Sequence, residues 1–305
     1  MSNGSRVATR RPPRSWGELI HPGVWVQMVV IAVLLVAAYW VPLCDKVIYP
    51  WLHDANWSHG PLVPLFSLYF LSTQKRNLAK AQPRTNSLGL ALLLIALASY
   101  FWFLIWMPMS YPRLLSFVLA IVGVTLYLAG WQVLRVVWFP ILFLLLAVPL
   151  PDSIYVDVTM PLRKLASQVS ASVLSVIPDL IAETSGVTIE YFYRDKPGTL
   201  NVEEACSGMR LMMAFFTLGL AMAYLGERPV WQRVIMVMAC IPIAVFCNMI
   251  RVTTTGLIHV FDYKSLASGT PHELLGLAML PIAWGLLALI GYVLKNIFVE
   301  VADDS

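Results

Sequence analysis

Charge is what this sequence has least of. Only 12% of its 305 residues are Asp, Glu, Lys or Arg, where soluble domains carry roughly a quarter. Hydrophobic residues make up 59%, and mean hydropathy is +0.73. That balance excludes both a water-soluble globule and a disordered chain. The net charge of +4 is small and sits in short clusters between apolar runs. It therefore reports orientation in a membrane and argues against nucleic acid as a partner. Cysteine is scarce as well: Cys44, Cys206, Cys240 and Cys247 show no paired spacing, which excludes a disulfide framework and a Cys-x-x-Cys metal site. Cys240 and Cys247 share one apolar run and read as small buried hydrophobes. The five histidines, His21, His53, His59, His259 and His272, are dispersed without His-x-x-x-His spacing, so neither a metal nor a cofactor is expected. Internal repeats, low-complexity tracts and a small-residue cleavage site after Arg6, Arg10, Arg11 and Arg14 are missing too, so no cleaved signal is expected.

What is present is a series of long apolar runs. A span needs about 20 predominantly apolar residues, and eight candidates follow: 24–43, 60–74, 87–107, 114–131, 133–150, 208–226, 231–259 and 273–294. The expected fold is thus an all-α polytopic membrane protein of about eight transmembrane helices. Lys and Arg in short loops set orientation. The N-terminal arginines, the cluster Lys75, Arg76, Lys80 and Arg84, then Arg135, the pair Arg228 and Arg233, and Lys295 all fall on one side under this count. That side is expected to be the cytoplasm, with a basic tail at 1–23 and an acidic tail at 296–305 both inside. Loops at 44–59, 108–113, 151–207 and 260–272 then face outward.

The external segment 151–205 is the one sizeable region without a span. Val158, Leu162, Leu165, Val169, Val173 and Val176 recur at helical spacing, with Arg163, Lys164, Ser167, Gln168 and Ser170 between them. This pattern fits an amphipathic helix lying on or against the bundle, or one packed into it as ordinary core. The β-rich run Val187–Tyr193 and the run Thr199–Val202 predict a short β-hairpin, with Asp195-Lys196-Pro197-Gly198 as its turn. The hairpin delivers the chain to Cys206.

Cys206 immediately precedes the sixth span, where the unpaired N–H groups of a helix N-terminus favour a thiolate. Arg251 lies in the outer part of the seventh span. An arginine there is costly and functional by default, although a place near the helix end lets it snorkel outward. His272 follows Pro271 at the external start of the eighth span. Each has an ordinary reading: a structural thiol, a snorkelling cation, a helix-capping imidazole. Together they fall at one depth on one face, and a thiol, a guanidinium and an imidazole are the parts needed to attack a peptide carbonyl and hold its oxyanion.

The residues around these three carry a resemblance. Cys206-Ser207-Gly208-Met209-Arg210, Asn248-Met249-Ile250-Arg251-Val252 and His272-Glu273-x-x-Gly276 resemble three signature blocks of the exosortase/archaeosortase family, as do Ser58-His59-Gly60 and Pro149-Leu150-Pro151. The resemblance runs from about residue 24 to 295, one transmembrane domain that includes the external segment. It implies a membrane cysteine transpeptidase or protease. Such enzymes act on membrane-anchored proteins whose C-terminal sorting signal is a short Pro-Glu-Pro-like motif, a transmembrane helix and a basic tail. It further implies a surface glycan or lipid as acceptor, the bacterial inner membrane as location, and an active site on the external, periplasmic face.

Carried over by position, the catalytic residues would be Cys206 as nucleophile, Arg251 on the oxyanion and His272 as acid and base. Supporting or substrate-binding candidates are His59, Glu204, Ser207, Arg210 and Asn248. Two other classes stay open on the residues alone. One is a polytopic transporter, which the lack of an acidic relay across the bilayer disfavours. The other is a membrane acyltransferase or polysaccharide ligase, in which Cys206 would be expendable.

Overall fold

The computed structural model describes residues 22–194, 196–202, 208–226, 228–261, 263 and 270–297, with positions 22–25, 55, 208–211, 270–273 and 297 described by backbone alone. The chain is mostly helical with one small sheet. In order it forms α1 (Pro22–Ala38), α2 (Trp40–Leu43), a π-helical turn (Cys44–Ile48), α3 (Tyr49–His53), a 3-10 turn (Ala55–Trp57), α4 (Leu62–Thr73), α5 (Lys75–Lys80), α6 (Ser87–Ile105) and α7 (Ser110–Phe143). A second 3-10 turn (Leu144–Ala147) leads to α8 (Asp152–Leu174), strands β1 (Leu180–Ser185), β2 (Thr188–Tyr193) and β3 (Lys196–Asn201), then α9 (Gly208–Leu225), α10 (Val230–Val260) and α11 (Thr270–Ile297). Among the described residues four helices are long and apolar enough to cross a bilayer, or five if the run Val26–Ala38 and Trp40–His53, bent by 71°, counts as one.

That is fewer than the eight spans expected, and each shortfall has a cause. The expected fourth and fifth spans lie in one helical run, Ser110–Ala147. A straight helix of 38 residues would be about 57 Å long, roughly twice the hydrocarbon core. The run is broken at Gly130, whose φ of 79° and ψ of −176° are non-helical. Only glycine holds that backbone without strain, and a Cβ there would also strike the Arg84 carbonyl. The expected second span is cut to the 12 residues of α4, whereas the expected sixth span, 208–226, coincides with α9, Gly208–Leu225.

The chain divides into two compact units. The first holds residues 1–48 and 64–148. Within it, α6 and α7 pack backbone to backbone at Gly89 and Gly123: a Cβ on Gly123 would lie 2.7 Å from the Leu93 nitrogen. Small residues permit such close approach, which stands in for hydrophobic driving force between helices in lipid. The Tyr39 hydroxyl and Ser116 Oγ hydrogen-bond at 2.9 Å, and Ser67 Oγ donates to the Pro140 carbonyl at 2.7 Å, so buried hydroxyls are satisfied inside the unit.

The second unit holds 49–63 and 149–305 and carries all three expected catalytic positions. One core joins α9, α10 and α11 through Phe215, Met236, Cys240, Cys247, Met279 and Leu287. Cys240 and Cys247 are buried and unbridged. A second core joins α8, the sheet and α10 through Ala166, Leu174, Leu180, Ile189, Leu200 and Val252.

The expected hairpin is a three-stranded antiparallel sheet in the order β1-β2-β3. Its turn also falls earlier than expected. Arg194 takes a positive φ of 49°, and Lys196, Pro197 and Gly198 belong to β3. Proline is tolerated there because β3 is an edge strand, and the Tyr191 ring covers Gly198. The Val202 N–H donates to the Val187 carbonyl at 3.0 Å, fixing the chain just before Cys206.

Candidate active site

Helix α8 sets the outer wall of the site, and it is turned opposite to a soluble amphipathic helix. Its buried face is Thr159, Arg163, Ala166, Ser167, Ser170, Ala171 and Leu174. Of the expected stripe, Val158, Leu165, Val173 and Val176 are exposed, while Leu162 and Val169 are half-buried. Small and hydroxyl side chains let α8 approach α10: Thr253 Oγ1 donates to Ser170 Oγ at 3.0 Å. Ser167 Oγ donates to the Gly186 carbonyl at 3.0 Å and ties the sheet to the same face. Arg163, read from the sequence as part of a polar face, is buried, with its Nη2 3.4 Å from the Tyr155 hydroxyl.

Arg251 is 2% exposed. It sits nine residues, about 14 Å of helix, before the end of α10 at Val260, and it does not snorkel into solvent. Its guanidinium lies against α11 at Gly276. A Cβ placed on Gly276 would be 3.3 Å from Arg251 Cζ, 3.4 Å from Nη2 and 3.5 Å from Nη1. Position 272 is one turn before Gly276 on the same helix face. Asn248 precedes Arg251 by one turn of α10 and is buried. Its Oδ1 has no hydrogen-bond partner among the described residues.

A small cavity joins α8, α9 and α10. Thr159, Leu162 and Arg163 line it from α8, Met212 from α9, and Ala244, Val245 and Asn248 from α10. At about 20 Å³ it has room for a single water and none for a peptide. Its value is as a gauge of level. Met212, in the second turn of α9, lines it together with Asn248, which lies one turn of α10 from Arg251.

Of the expected catalytic residues, then, Arg251 is fully described, and it lies against the helix turn that follows His272. The His272 position is described by backbone alone, and Cys206 lies outside the described residues, as do Glu204 and Ser207. The chain is described again from Gly208, two positions after Cys206, and Arg210 is known there by its backbone. His59 is buried, its ring centroid 5.9 Å from that of Trp57. The 3-10 turn just before it, Ala55–Trp57, packs on α9. Among the described residues no group of three His, Cys, Asp or Glu side chains could hold a metal.

Arg163 and Thr159 went unassigned in the sequence. The signal was their spacing with Ala166, Ser167, Ser170 and Ala171, a polar and small stripe at helical period.

A family model described as Transmembrane exosortase (Exosortase_EpsH) matches residues 51–289. The chain belongs to the transmembrane exosortase family. Exosortases are membrane proteases and transpeptidases that act on sorting-signal substrates. The matched region begins at Trp51, beside the His59 turn, and ends inside α11, so it takes in every candidate residue of the site. No curated protein matches the chain, and no solved structure does. The apolar helices agree with the family's place in a membrane.

Proposed function

We propose that this exosortase-family protein is a cysteine transpeptidase or endopeptidase that cleaves the C-terminal sorting signals of membrane-anchored proteins. The observation that supports this best is Arg251, a guanidinium buried between α10 and α11 and held against Gly276. A buried arginine in a membrane helix is costly and is retained for chemistry. It is supported by the level of Met212 and Asn248 in one cavity, which relates the start of α9 to Arg251's turn of α10.

In this reading the substrate's own membrane helix docks laterally, with its short motif beside the start of α9. Cys206 attacks the scissile carbonyl as a thiolate and forms a thioester, while Arg251 donates to the oxyanion of the tetrahedral intermediate. His272 gives its proton to the leaving amine, then takes one from the incoming nucleophile. A surface glycan or lipid receives the cleaved protein. The chemistry takes place on the external face of a bacterial inner membrane, with both termini in the cytoplasm. Asn248, His59 and Arg210 support the site, and Glu204 and Ser207 flank the nucleophile. The test is processing of a protein from the same proteome that ends in a short motif, one apolar span and a basic tail. Cys206→Ala is expected to abolish cleavage while the protein remains inserted; normal cleavage by that variant would remove the nucleophile assignment.

A further inference from the structure

The second unit carries a surface whose polarity is inverted for water. On α8 the inward face holds Thr159, Arg163, Ser167 and Ser170 beside Ala166, Ala171 and Leu174, whereas Ile154, Val158, Leu165 and Val173, with Val176 just past the helix, point out of the fold, 43–80% exposed. An exposed polar strip of Asp157, Lys164, Gln168 and Ser172 runs next to them. In water each outward Val, Ile or Leu of that stripe forgoes burial. In lipid it is correctly oriented: apolar side chains meet acyl tails, while small and hydroxyl residues make the helix–helix contact, here closed by the Thr253–Ser170 hydrogen bond. Helix α8 is not a span by composition, because Asp152, Asp157, Arg163 and Lys164 interrupt it.

The sheet continues the same surface. Ile181 on β1 pairs with Phe192 on β2, both exposed, so the two side chains share one face of the sheet that follows α8. Two residues further along that face, Glu183 pairs with Glu190. Arg194 and Lys196 are exposed at the Ile181–Phe192 end; Asp195 between them lies outside the described residues. The outer sheet face is therefore apolar at one end, where Arg194, Lys196 and Asp179 are all exposed, and acidic at the other. That is the gradient of a segment whose apolar end enters the headgroup layer and whose acidic end stays in water.

We propose that α8 and the Ile181–Phe192 end of the sheet lie in the membrane interface, with the stripe Val158, Leu165, Val173 and Val176 in contact with lipid acyl chains. The partner is the bilayer itself. The inference stands on polarity and packing alone and is independent of whether Cys206 is a nucleophile. One consequence is that α8 is the layer between lipid and the cavity lined by Arg163 and Asn248.

The test uses the full chain in vesicles of phosphatidylethanolamine and phosphatidylglycerol carrying an acyl-chain diazirine lipid. A parallel sample receives a water-soluble diazirine. After photolysis, cleavage at Lys164 and Arg194 releases the segment 165–194, and fragmentation places the adducts. Leu165, Val173, Val176 and Phe192 are expected to take the lipid label several-fold more than Ser167 and Ser170, and Glu183 and Glu190 to take the aqueous label. Aqueous labelling of Leu165 and Val173 without lipid label would overturn the proposal. Protection of the stripe from both reagents would overturn it equally, since another protein surface, such as a second copy of the chain, would then cover it.

Discussion

Gly276 is where a single added carbon tests the site. Two effects of opposite sign meet in Gly276→Ala. Alanine is favoured over glycine in a helix interior by about 0.8–1.0 kcal/mol, which stabilises α11. The new Cβ lies 3.3 Å from Arg251 Cζ, a few tenths of an ångström inside the roughly 3.5–4.0 Å optimum for carbon contacts. The guanidinium must move by about that amount, and at 2% exposure it moves into packed surroundings. Net stability is expected to stay within about 1 kcal/mol of the parent. Activity should respond differently. A misplacement of about 1 Å costs roughly a hundredfold in rate, so a shift of tenths should lower turnover by no more than about tenfold. Gly276→Leu forces the guanidinium out of place, and its loss should approach the roughly hundred- to thousandfold of a missing oxyanion donor. Because the donor acts in the transition state, kcat and kcat/KM should fall together. The assay is cleavage of a purified sorting-signal substrate in proteoliposomes, with thermal unfolding measured on the same preparations. If Gly276→Ala and Gly276→Leu both stay folded and cleave at the parent rate, Arg251 has no part in the chemistry.

Three further outcomes follow from the same geometry. Arg251→Lys should insert and fold yet fail to process substrate, because a point charge does not reproduce the planar fork; a cleavage assay beside a membrane-fraction blot checks it. Gly130→Ala should lower the unfolding temperature, since a non-glycine residue at φ 79° costs about 1–3 kcal/mol in strain and its Cβ meets the Arg84 carbonyl. An unchanged melting curve would contradict that. Ser170→Ala removes the acceptor of the Thr253 hydroxyl and should cost about 0.6 kcal/mol, the average for such bonds between membrane helices, read as a shift in thermal unfolding without loss of processing.

Arg251 stands out in the sequence because an arginine within an apolar run is rare for a stated energetic reason; its contact with Gly276 is a tertiary fact that spacing alone did not give. Span counting is ambiguous where a local backbone feature interrupts an apolar run. Windows over 114–131 and 133–150 are both apolar, yet hydropathy does not say that the chain between them stays helical up to a kink at Gly130. Strand β1 was missed because Leu180–Ser185 mixes Ala, Glu and Ser with little β-branched content, and its pairing with β2 is a tertiary fact. The facing of α8 was open for a different reason. A period of 3.6 identifies the two faces of a helix, but which one is buried depends on whether the solvent is water or lipid. Arg163 was overlooked on that account.

Covalent trapping at Cys206 tests the central claim most directly. The full chain would be mixed with a sorting-signal substrate in proteoliposomes, quenched in acid and examined by peptide mass spectrometry. The account predicts a substrate adduct on the peptide that contains Cys206, labile to hydroxylamine and absent from Cys206→Ala. Cleavage of the substrate by Cys206→Ala, with no adduct at Cys206 in the parent protein, would contradict it.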